Sequence, residues 1–251
     1  TAAELNTVNA GTTSAVNASA VVTIESSTAS ALATLMTAAQ DNAQFTNTSF
    51  ADLTTNGVTI TGGTTLDVTD LNNAISRTNT VATGTVDLVF SADDNTTTIN
   101  GGTVTEFATT LLTHKTNNRV SFTGVNLSID GTTVTTAQAN DLTAATTGTV
   151  TTTVSDGDLD TLTGLNAKTN AALSVTVTDT AGTAAELNTV NAGTTSAVNA
   201  NAVVTIESST ASDLATLMAD AQDDTKFTNT SFVDLTTNGV TITGGTTLDV
   251  T

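Results

Sequence analysis

Residues 1–69 return as residues 183–251 without a gap, at a period of 182. TAAELNTVNAGTTSAVNA is spelled identically from Thr1 to Ala18 and from Thr183 to Ala200. A chain that folds the same words in two places is built from equivalent pieces, so the repeat constrains the fold before any motif does. Eight of the 69 positions differ: Ser19/Asn201, Ala31/Asp213, Thr37/Ala219, Ala38/Asp220, Asn42/Asp224, Ala43/Thr225, Gln44/Lys226 and Ala51/Val233. Seven exchange small or polar residues for polar, small or charged ones, as a solvated face tolerates. Leu32, Leu35, Met36, Phe45, Phe50 and Leu53 do not change. The two copies thus separate an exposed face from a buried one.

A looser unit of about 30 residues recurs six times within the long period, a length typical of stacked repeats. It begins in the segments TAAELNTVNAG, STASALATLMTAAQ, VTDLNNAISRTNT, TVTEFATTLLTHK, TTAQANDLTAA and DLDTLTGLNAK. A Ser, Thr or Asp able to cap a helix precedes apolar residues spaced by three or four. In ASALATLMTAAQ, Leu32, Leu35, Met36 and Ala39 share one helical face. Gly11 and Gly193 read as left-handed caps that end the first helix of each copy. Runs alternating Val or Ile with Thr follow. In LSVTVTD, Leu173, Val175 and Val177 face one way while Ser174, Thr176 and Thr178 face the other, as a strand with one wet face requires. Thr suits the wet face, being polar and β-branched.

Neither element buries its apolar face alone. Stacking unit on unit does so, and the expected fold is a β-rich (α/β) solenoid with parallel strands and short helices. Tandem β-sandwich domains are the alternative. The expected organisation is one full long repeat of six helix–strand units over 1–182, then the start of the next copy over 183–251, in one continuous solenoid without a linker. Starting at Thr1 without Met and stopping mid-phrase, the sequence reads as an excerpt of a longer polypeptide.

Chemistry is scarce. There are 24 acidic residues against 5 basic ones, a net charge of −19, which repels nucleic acid and anionic lipid. No apolar run is long enough for a membrane span. Without Cys, and with His114 as the single histidine, a zinc site and a thiol nucleophile have no ligands to draw on. His114 sits late in a predicted helix beside Lys115, with Arg119 close behind, where cations complement the dipole. No GxSxG elbow accompanies that His. Phe45, Phe50 and Phe107 occupy core-like positions, leaving no aromatic platform for a sugar cleft, and the chain is not expected to be an enzyme.

No cofactor is expected, and Ca²⁺ is the one ion that the acidic turns suggest. Asp156, Asp158 and Asp160 imitate the start of an EF-hand loop, but Thr161 and Ala167 stand where Gly and a bidentate Glu belong. Asp93 and Asp94, beside Asn95, form a similar turn. Helix capping explains these carboxylates better than a metal does. Thr149, Thr151 and Thr153 line one face, a pattern that ice-binding solenoids extend over many regular coils. The Asn-x-Ser/Thr triplets at Asn17, Asn47, Asn95, Asn126 and Asn229 are what a chain rich in Asn and Thr yields by chance.

The phrases TAAELNTVNAGTTSAVNA, VTITGGTTLDVT and LSVTVTDTAGTAAEL resemble the Thr-rich, Cys-free repeats of giant cyanobacterial cell-surface proteins, including the swimming-associated kind, and of large bacterial adhesins. The resemblance lies in composition and repeat phrasing along the whole chain. It implies an extracellular structural segment, a rigid spacer or surface-coat element linked to motility or adhesion. Its partners would be neighbouring repeats of the same chain, with cell-surface glycans or lateral copies as further candidates. A glycan- or Ca²⁺-binding adhesin module is the alternative; a polysaccharide-acting enzyme and an ice-binding solenoid are remote ones.

Overall fold

A computed structural model describes residues 1–21, 24–39, 41, 43–46, 58–60, 65–81, 88–89, 96–228 and 240–243. The chain divides into two compact bodies, residues 1–130 with 145–148 and residues 131–144 with 149–251. In chain order the elements begin with α1 (Ala2–Ala10), β1 (Val16–Asn17), α2 (Ala29–Ala39), β2 (Phe45–Thr46), β3 (Val58–Thr59), β4 (Thr65–Asp67) and α3 (Val68–Val81). Next come β5 (Leu88–Val89), β6 (Thr98–Asn100), a π-helical turn (Glu106–Leu111) running into α4 (Leu112–Thr116), β7 (Val120–Ser121) and β8 (Asn126–Val134). α5 (Thr136–Ala145), β9 (Val150–Val154), α6 (Leu159–Leu162), β10 (Ala171–Ser174) and β11 (Ala181–Gly182) follow. The last are α7 (Ala184–Ala192), β12 (Val198–Asn199), β13 (Thr205–Ile206), α8 (Ala211–Asp220) and β14 (Phe227–Thr228).

The architecture is α/β, and every strand pairing among the described residues is parallel. In the first body β1 pairs β2, β5 lies between β3 and β7, and β6 lies between β4 and β8. In the second, β9 pairs β10, β11 pairs β13 and β12 pairs β14. Paired residues are close in sequence, from Val150 with Ala171, 21 apart, to Thr65 with Thr98, 33 apart. Parallel neighbours need a crossover, and a helix commonly supplies it.

The helices cover one another in sequence order: α2 packs on α1 and α3, and α7 packs on α6 and α8. Leu32, Leu35 and Met36 of α2 are fully buried, as are Leu71 and Ile75 of α3, the helix packed on it. Phe45, Phe107 and Phe122 fill the same core, each large side chain stabilising by about 1.5–3 kcal/mol. In the second body Leu173, Val175 and Val177 are buried while Ser174, Thr176 and Thr178 are exposed, the alternation expected of a half-wet strand.

Two local expectations are corrected. Gly11 and Gly193 do not adopt the left-handed region; their φ values are −83° and −77°, in the right-handed basin. Their N–H groups simply continue the helical bonding, to Thr7 and Val8 in one copy and Thr189 and Val190 in the other. The helix predicted over VTEFATTLLTHK forms from Val104, but Glu106–Leu111 wind as a π-helical turn, with both Phe107 and Leu111 in the core, before the α-helix resumes at Leu112.

The identical copies are not identically buried. Val8 is 54% exposed and Leu5 half-buried, whereas Leu187 and Val190 are 0% exposed. The difference lies in the neighbour, because α6 and Leu165 lie against the second copy. A Cβ added to Gly193 would stand 2.6 Å from Leu165 Cβ, while one on Gly11 would meet nothing nearer than 3.5 Å. The varied positions lie mostly at the surface: Ser19, Asn201, Thr37, Ala219, Ala43, Thr225 and Lys226 are exposed. Ala38 is the exception, 5% exposed where Asp220 is half-buried.

Candidate functional site

Polar chemistry in this chain is concentrated where one helix–strand segment meets the next. The opening amide of a helix has no partner within its own helix. At Ala2 it donates to Ser27 Oγ (2.9 Å), at Thr136 to Asp156 Oδ2 (2.6 Å), at Leu159 to Asp179 Oδ2 (2.6 Å) and at Ala184 to Ser209 Oγ (2.9 Å). Each acceptor lies 20 or 25 residues further along. The cap therefore comes from the following segment.

A second forward contact starts at the fifth residue of a helix. Asn6, Asn72, Asn140 and Asn188 donate through Nδ2 to the carbonyls of Ala31, Glu106, Gly164 and Asp213 at 2.8–3.1 Å. Asn140 Oδ1 also accepts from Asn166 N–H. In Asn6, Asn72 and Asn188 the Oδ1 atoms are buried without a partner. Each costs about 1–3 kcal/mol in desolvation, so the donated bond is not merely decorative packing.

Threonines reach backwards. Thr146 Oγ1 donates towards the carbonyls of Thr123 (2.8 Å) and Val125 (2.7 Å). Thr194 Oγ1 does the same to Ala171 (3.1 Å) and Leu173 (2.7 Å), and accepts from Leu173 N–H (3.0 Å). Thr12, the first-copy counterpart of Thr194, is exposed and accepts from Ser14 N–H. Together these contacts fix the register between successive segments.

The carboxylates singled out from sequence fall into this scheme. Asp156 is the forward cap of α5. Asp158 caps its own helix by accepting from Thr161 N–H at 2.9 Å, and the Thr161 hydroxyl and amide hold its carboxyl below the ordinary value of 3.8. Asp160 stands in the first turn of the same helix, where a negative charge complements the dipole. Asp158 and Asp160 line a cleft of about 230 Å³ with Asp179, Glu186 and Glu207, three residues that the sequence reading did not single out. Two of these are already engaged, Asp179 with Leu159 N–H and Glu186 with Thr183 N–H and its hydroxyl. Sharing a cleft does not make them converge, and among the described residues no three His, Cys, Asp or Glu gather as ion ligands. Asp93 and Asp94 lie outside the described residues, as do Phe50 and Leu53.

His114 lies half-buried in α4 with Nε2 3.4 Å from Ser76 Oγ. Burial first, then the Arg119 charge, lowers its pKa from 6.5. The row of Thr149, Thr151 and Thr153 is exposed, but the register sets Ala172 beside Thr151 and Ser174 beside Thr153. No Thr continues the row there. Among the described residues no helix is long and apolar enough to cross a membrane. No family model, curated protein or solved structure matches the chain.

Proposed function

We propose that the chain is a structural segment of a giant extracellular surface protein, a solenoid in which helix–strand units stack at a rigid spacing. The unequal burial of one spelling carries this reading: TAAELNTVNAG hides Leu187 and Val190 where a segment precedes it and leaves Val8 exposed where none is described. A sequence whose apolar face is completed by its neighbour is a stacking module. All-parallel pairing at separations of 21 to 33 residues supports the same view, since each unit then contributes one rung beside the last. Forward caps and backward threonines supply the specificity, because hydrophobic stacking alone does not set register.

The role is mechanical: length grows by adding periods, and the −19 charge keeps the surface soluble and apart from nucleic acid and anionic lipid. The resemblance to Thr-rich cyanobacterial surface repeats supports an outer-surface location with neighbouring repeats as the first partners. Small-angle scattering on proteins carrying one, two and three 182-residue periods tests the spacer reading. A maximum dimension that rises by equal steps with each period is the expected result. Growth as the square root of copy number describes domains on flexible linkers and would overturn it.

A further inference from the structure

Beside α7 and α8 in the second body lies a groove of about 580 Å³. Lys168 and Lys226 line it together with Asn191, Thr195, Thr216 and Asp220. Two of the five basic residues of a chain with 24 carboxylates thus line one groove, both of them exposed. Among the described residues neither lysine forms an ion pair, although the Lys226 charge reaches Asp223 and helps to hold its pKa low. Asp220 is held instead by Asn191, itself only 8% exposed, whose Nδ2 donates to Oδ2 at 3.0 Å.

The duplicate sequence supplies an internal reference. At the matching place the first copy has Ala38 and Gln44, and Asn9 Nδ2 donates to Gln44 Oε1 at 3.0 Å. Two of the eight differences between copies therefore fall on this groove. Each replaces a neutral residue by a charged one, and the two charges are of opposite sign. Asp213 and Asp224 are the other two charges that the second copy gains.

We propose that the groove binds a saccharide carrying a uronic acid residue. The ammonium groups of Lys168 and Lys226 would receive the sugar carboxylate through charge-assisted hydrogen bonds. Asp220 accepts from sugar hydroxyls, while Thr195 and Thr216 both donate and accept, which suits a ring bearing many hydroxyls and one negative charge. The volume lies in the range of small-ligand pockets. An acidic peptide suits the groove less well, since its successive carboxylates meet Asp220 and the field of a strongly negative chain. This proposal is independent of the spacer role and survives its failure.

The probe is cellobiouronic acid, a glucuronate linked to glucose, titrated into the 251-residue protein and followed by amide chemical shifts. Saturable shifts at Lys168, Asn191, Asp220 and Lys226 are expected, with none from cellobiose at equal concentration. Lys168→Gln and Lys226→Gln should each weaken binding about tenfold, the worth of one charge-assisted bond. Asp220→Ala with Lys226→Gln writes the first copy's residues into the second, a combination the chain already folds, and should abolish binding while leaving the other resonances in place. Absent shifts, equal shifts from cellobiose, an unchanged Kd in the lysine variants, or a tighter response to tetra-aspartate would overturn the assignment.

Discussion

A methyl group added to one of two glycines in identical surroundings of sequence separates local from neighbour effects. Gly11 has a right-handed φ that any residue adopts and no atom within 3.5 Å of an added Cβ. Gly11→Ala should be neutral or stabilise by up to about 1 kcal/mol, through the unfolded chain. Gly193→Ala drives a Cβ against Leu165 Cβ, which sits next to its own backbone and cannot swing away. It should cost about 1–3 kcal/mol by overpacking, read from urea midpoints at constant m. His114 gives a residue-level pH test. Its folded pKa lies below 6.5, so the folded state binds fewer protons than the unfolded one, and its contribution is present above 6.5 and lost as pH falls from there through the lowered folded value. The slope of stability against pH between about 7 and 5 should flatten in His114→Gln, with urea melts at each pH as the measurement.

Elements show what sequence makes legible. The α2 face could be seen in advance, because Leu32, Leu35 and Met36 recur at helical spacing and survive the comparison of copies. The alternation of Leu173, Val175 and Val177 was equally plain, being local. The caps were not: Asp156 and Asp179 look like turn residues, and nothing in a twenty-residue gap says that their oxygens reach the opening amides of α5 and α6. The same holds for Thr194, which looks like its exposed twin Thr12 until the strand carrying Ala171 and Leu173 is placed before it. Likewise, the cleft joining Asp158 with Glu207 depends on a fold that their spacing does not encode. Thr194→Val should therefore cost about 1–3 kcal/mol by removing a buried hydroxyl from two carbonyls and two amides, while Thr12→Val should stay within about 0.5 kcal/mol. Thermal melts of the two variants side by side measure the contrast.

At the scale of the molecule, charge and burial act on different residues and can be told apart. Asp41, Asp158 and Asp223 have carboxyls held low by hydrogen bonds, first from the Ala43 amide, the Thr161 hydroxyl and the Thr225 hydroxyl. Their stabilisation is present above the ordinary carboxylate value of 3.8 and is lost as pH falls through the lowered range. Near neutral pH the −19 charge opposes compaction, so raising salt from about 10 mM to about 150 mM should raise the Tm, as measured by calorimetry at constant pH. Amide exchange followed by NMR should find α7 more protected than α1 despite equal spelling, because opening α7 exposes Leu187 and Val190 while Val8 already meets water.

The forward caps also impose a rule of phase on the gene. A donor at Leu159 finds its acceptor at Asp179, and a donor at Ala184 finds Ser209, so the chain keeps its contacts only while those intervals are kept. Loss or gain of a whole 182-residue period leaves every donor facing an acceptor of its own kind. Removal of an arbitrary stretch strands a donor on one side of the cut and an acceptor on the other. Recombination between the duplicated tracts, which are aligned by their own identity, cuts and rejoins in phase, so under the proposed spacer role the reach of the protein is edited without rewriting a single contact.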